Sequence, residues 1–79
     1  MRNKPDPYHP FFDRFTFLIE SAKIHNKKSV RDISQETAIL RSALYNYLER
    51  VSMPSVTTLE ILADYFGVTT DYLLGREEQ

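Results

Sequence analysis

The sequence predicts an all-α domain built from five short helices around one core. Three observations carry this. Only two glycines occur in 79 residues, and runs of β-branched residues are scarce. Apolar residues recur at the three- and four-residue spacing of an amphipathic helix. Ser, Thr and Pro stand before these periodic segments and Gly after two of them, where helices start and stop. A chain of this length holds a single hydrophobic core, too small to divide into two domains.

Residues 1–10, MRNKPDPYHP, carry three prolines and little apolar content, and read as a flexible, non-helical arm. Pro10 suits a first helical turn, where a missing N–H costs nothing. A helix is expected over 11–25, with Phe15, Leu18, Ile19 and Ala22 on one face and Phe11 and Phe12 covering the open end of the core. After the polar turn His25–Lys28, Ser29 is a good N-cap for a second helix over 30–37. Asp32 stands where a capping box needs its reciprocal acceptor.

A third helix is expected over 41–48, burying Leu44 and one or both of Tyr47 and Leu48. Its N-cap, Leu40, has no side-chain acceptor, which costs about 1 kcal/mol relative to Ser or Thr. Ser55 caps a fourth helix over 56–66, whose stripe Leu59, Leu62, Ala63 and Phe66 is expected to pack against the first helix. Gly67 ends it in the left-handed position. Thr69 caps a short fifth helix over 70–74, stopped by Gly75. Residues 76–79, REEQ, form a polar tail.

The charge balance is uneven. Residues 1–50 hold nine Lys/Arg against six Asp/Glu, a net of +3, and residues 51–79 hold one Arg against five acids, a net of −4. Such a domain can turn its basic end to phosphate while the acidic end faces away. The chain has no cysteine, which excludes disulfides and thiolate metal sites and fits a cytoplasmic protein. No apolar run is long enough to span a membrane. His9 and His25 sit in an arm and a turn without a spaced carboxylate or nucleophile, so neither catalysis nor a cofactor is expected. Instead, residues 29–49 read as two helices with a tight break at 37–40. The second of them carries Arg41, Ser42, Tyr45 and Asn46 outward, an arrangement suited to a groove in DNA.

Divided this way, residues 11–75 resemble the lambda-repressor-like, Cro/C1-type helix-turn-helix family. The run MPSVTTLEILADYFGVTTDYLLG, residues 53–75, is similar to that family's fourth and fifth helices almost position by position. The resemblance implies that helix 30–37 lies across the phosphate backbone and helix 41–48 enters the major groove. It places base-reading positions on Leu40, Arg41, Ser42 and Asn46, with Tyr45 beside them. Arg41 can donate to guanine O6 and N7, and Asn46 can pair with adenine N6 and N7. Lys27, Lys28, Ser29, Arg31 and Arg50 are the expected phosphate contacts, since positioning needs charge more than exact geometry. Arg2 and Lys4 could reach backbone or minor groove from the arm.

The chain departs from the family pattern at four places. Val30 replaces a usual Gln, Ser34 a common Ala, and Ala38 the turn Gly, which is tolerable if the backbone there stays right-handed. Lys23 and Leu48 stand where many relatives pair an Arg with a Glu. The implied function is a sequence-specific transcriptional regulator, a repressor, whose partner is double-stranded DNA. A weak homodimer is expected through the C-terminal helices around Tyr72, Leu73 and Leu74, assisted by DNA. The alternative is a protein-interaction or antitoxin-like module that turns Leu40 and Tyr45 toward a protein.

Overall fold

A computed structural model describes residues 4–77. The helices are α1 (Pro10–His25), α2 (Val30–Thr37), α3 (Arg41–Leu48), α4 (Val56–Phe66) and α5 (Thr70–Leu73). No strand occurs among the described residues. α1 begins on Pro10 itself, because the His9 imidazole serves as its cap: Nδ1 accepts the Phe11 N–H at 3.1 Å. Ser29 and Asp32 form the full capping box at the start of α2, and Ser55 and Thr69 cap α4 and α5. Leu40 starts α3 without a side-chain cap, as its chemistry requires.

The helix ends share one device. At the ends of α1, α3, α4 and α5 the chain turns left-handed at Lys27, Arg50, Gly67 and Gly75, and the next N–H reaches back to a carbonyl of the last turn. At α3, for example, the Val51 N–H donates to the Asn46 carbonyl at 3.0 Å and the Arg50 N–H to that of Tyr47 at 3.2 Å. α2 ends at Ala38, whose φ of 64° is also left-handed. The right-handed backbone that would make an Ala tolerable there is therefore not what forms. A Cβ there costs about 1 kcal/mol, which the hydrogen bonds of the turn must offset.

The core gathers one face of every helix. Phe11, Phe12, Phe15, Ile33, Leu44, Leu62 and Leu73 are fully buried, with Ile19, Ala22, Ile39, Tyr47, Leu59 and Ala63 close behind. Phe11 stacks on Phe15 at 5.3 Å, and both meet the Tyr47 ring edge-on. Phe11 and Phe12 thus belong to the centre of the packing and do more than cover its end. α1 packs on α3 and α5, α2 on α3 and α4, and α4 on α5.

Three local expectations need correction. α4 leans mainly on α5 and α2, so α1 is not its chief partner. Phe66 is only half-buried, in edge contact with Tyr65, because it falls on the last turn before Gly67 where the chain leaves the core. Leu18 is likewise half-buried, and Leu74 caps α5 instead of belonging to it.

Candidate nucleic-acid interface

The corner between α2 and α3 is fixed by side chains that lace its turn. The Thr37 hydroxyl donates to the Ile33 carbonyl at 2.7 Å and accepts the Ile39 N–H at 3.2 Å. The Ser34 hydroxyl donates to the Ile39 carbonyl at 2.5 Å. The carbonyl and N–H of Ile39 are thereby satisfied while its side chain is buried beside Ile33 and Leu44. These bonds hold Ala38 in its left-handed conformation and set the start of α3. Ser34 is thus part of what fixes the turn.

α3 then divides cleanly. Leu44 and Tyr47 are buried, while Arg41, Ser42, Tyr45 and Asn46 are exposed, and Leu40 just before them is 72% exposed. Desolvation raises the Tyr47 phenol above its ordinary range, against a smaller lowering by the Thr58 side chain. All five residues expected to read bases are therefore accessible together along one short helix and its cap.

The expected phosphate contacts divide into two groups. Lys27 and Arg31 are exposed. Lys28, Ser29 and Arg50 have partners within the fold. Lys28 Nζ lies 2.5 Å from Glu36 Oε2, and the Tyr65 hydroxyl donates to the other Glu36 oxygen at 2.7 Å. The hydrogen bond and charge of Glu36 hold the Lys28 ammonium above its usual range. Lys28, then Tyr65, hold the Glu36 carboxyl below its own. Burial, and then Glu36, push the Tyr65 phenol up to about 12.

The Ser29 backbone N–H and hydroxyl both donate to Asp32 Oδ2, at 2.9 and 3.0 Å, and these bonds hold the Asp32 carboxyl low. Arg50 reaches back to α1: it pairs with Asp13 at 2.5 Å, donates to the Pro7 carbonyl, and lies 5.7 Å from the Phe12 ring centroid. It thereby ties the segment before α1 to the end of α3. Of the two arm cations, Lys4 is exposed and Arg2 lies outside the described residues.

One feature escapes sequence reasoning altogether. A groove of about 310 Å³ opens between α1 and α3, lined by Ile19, Glu20, Lys23, Val30, Tyr45 and Leu48 among others. Glu36 was also illegible as a partner of Lys28, since eight residues and a helix start separate them. On the C-terminal helices expected to self-associate, the exposed large apolar side chains are Val56 and Ile61 of α4. Leu73 is fully buried, Leu74 is half-buried, and the Arg14 guanidinium covers the Tyr72 ring at 4.5 Å.

Two short helices joined at a laced turn, with an exposed polar face on the second, define the helix-turn-helix class. A family model described as a helix-turn-helix domain matches residues 18–78, and the chain belongs to that family, of the XRE/Cro-like type. DNA binding is the general activity that membership implies. No curated protein and no solved structure matches the chain. Among the described residues, no cluster of His, Asp or Glu could hold a metal ion, and no helix is long and apolar enough to cross a membrane.

Proposed function

We propose that this protein is a sequence-specific transcriptional regulator of the cytoplasm, acting as a repressor that occludes a promoter. α3 would lie in the major groove, with Arg41 on a guanine, Asn46 and Ser42 on neighbouring edges, and Leu40 and Tyr45 against thymine methyls or sugar. The observation that carries this is the joint exposure of Arg41, Ser42, Tyr45 and Asn46 on a helix whose opposite face is locked by Leu44 and Tyr47. Lys27 and Arg31 would hold phosphates from the start of α2. Lys28 would join them by exchanging Glu36 for a phosphate oxygen, and Arg50 by leaving Asp13. A domain this small makes few base contacts, so two copies on a palindromic site would supply the specificity.

Selection of bound sequences from a randomised duplex pool tests the reading, followed by Arg41→Ala on the selected site. The substitution should cost about 1–3 kcal/mol and relax selectivity at one base pair. A loss equal on every sequence would reduce Arg41 to a phosphate contact. The absence of any enriched sequence would favour the protein-interaction reading. That second reading draws on Leu40 and Tyr45, 72% and 48% exposed at the start and middle of α3.

A further inference from the structure

Ser34 stands in the middle of α2, where a serine is a weaker helix former than an alanine. Its hydroxyl does not turn back onto its own helix. From a half-buried position it crosses the turn and donates to the Ile39 carbonyl, five residues on, at 2.5 Å. The Thr37 hydroxyl takes the other backbone group of Ile39 by accepting its N–H. Burial holds the Ile39 side chain, and α2 holds both of its peptide groups, just before α3 begins. We infer that Ser34 is a positioning residue for base recognition: its hydroxyl aims the first turn of α3, and with it Arg41 and Ser42.

The two ends of α3 are held by different means. Leu44 and Tyr47 seat its middle and end in the core, where Tyr47 meets the rings of Phe11 and Phe15. The Asn46 carbonyl accepts the Val51 N–H at the closing turn. The start has no such support. Leu40 supplies no side-chain cap, and Leu40, Arg41 and Ser42 are all exposed. What aims them is the direction in which the chain leaves Ile39.

Without the Ser34 hydroxyl, a water can take the Ile39 carbonyl, which keeps a hydrogen bond there but not its direction. A bidentate contact from Arg41 to a guanine tolerates that looseness poorly, because two N–H groups must meet two acceptors at once. Contacts to phosphate need charge more than exact geometry and tolerate it well. The loss therefore falls on discrimination at the start of α3. It spares the Asn46 end and the overall grip on DNA.

The role rests on α3 reading bases as proposed above. Bound sequences would be selected from a randomised duplex pool with the unaltered full chain and with Ser34→Ala, Arg41→Ala and Asn46→Ala. The last two mark the base pair that each side chain reads. Ser34→Ala should lower the preference at the Arg41 base pair about fivefold or more. It should leave the preference at the Asn46 base pair, and the affinity for unrelated duplex, as in the wild type. The positioning role is overturned if the Ser34→Ala pool matches the wild type. It is equally overturned if preference falls alike at both base pairs in step with a lower thermal midpoint. In either case an Arg41→Ala pool that still marks a base pair leaves the reading of α3 standing. If Arg41→Ala marks none, the reading fails and the positioning role with it. A Ser34→Ala chain that does not fold overturns the role as well, the hydroxyl then serving the fold alone.

Discussion

Ala38 shows how much a single residue can be asked to tolerate. It is exposed, its φ is 64°, and its N–H closes α2 on the Ser34 carbonyl at 2.9 Å. A glycine at this point would remove the clash between Cβ and backbone and keep the bond, although it would also loosen the unfolded chain. Ala38→Gly should therefore stabilise the fold by about 0.5–1 kcal/mol, a rise of several degrees in thermal midpoint for a domain this small. A midpoint that stays put or falls would mean that the turn carries no such strain. Lys27 and Arg50 are left-handed in the same way, and the sequence gives no sign of it. Left-handed backbone announces itself through glycine, as at Gly67 and Gly75, and three of the five such positions here are not glycine. The exposed face of α3 was legible because a short amphipathic helix exposes whatever its core stripe leaves over. The pairings of Lys28 and Arg50 were not, because each joins residues brought together only by the fold.

At the scale of elements, α4 is the clearest success of periodicity and also marks its limit. The spacing of Leu59, Leu62 and Ala63 correctly picks out the buried face, but it cannot say which helix covers that face. The answer is α5 and α2. Leu62 is fully buried, so Leu62→Ala should destabilise by about 2–4 kcal/mol through lost burial and a residual cavity. A denaturation midpoint unmoved by it would contradict this packing. α2 and α4 are also joined by the Lys28–Glu36–Tyr65 chain, which makes the joint sensitive to pH on both sides. Glu36 is depressed, so its contribution is complete above the ordinary 4.5 and disappears as pH falls through the lower folded value. Lys28 and Tyr65 are raised, so theirs are complete below 10.5 and 10.0 and disappear as pH rises, for Tyr65 up to about 12. The thermal midpoint should be flat between these limits and fall outside them. Glu36→Gln should shallow both falls, and Tyr65→Phe should shallow the alkaline fall and, through its lost hydrogen bond to Glu36, part of the acid one. Identical pH profiles for wild type and Glu36→Gln would remove the joint from the account.

Across the whole molecule, the uneven charge of the sequence becomes a division between helices. Lys23, Lys27, Lys28, Arg31 and Arg41, against Asp32 and Glu36, come from the end of α1 through the start of α3, and Glu60, Asp64, Asp71 and Glu77, against Arg76, from α4 to just beyond α5. The same layout joins the two ends of the domain. A Cβ on Gly75 would fall 2.5 Å from Pro10, and Arg14 donates to the Glu77 carbonyl at 2.9 Å. Three phenylalanines in the first turns of α1 thus find their cover in α3 and α5, which follow α1 in the chain. During synthesis the first helix must wait, its aromatic face open, until α5 has emerged. Chains stopped after Gly67 should stay unfolded and bind a hydrophobic dye, whereas chains stopped after Glu77 should fold. A cooperative melt from the shorter product would show that α1 closes without the last helix.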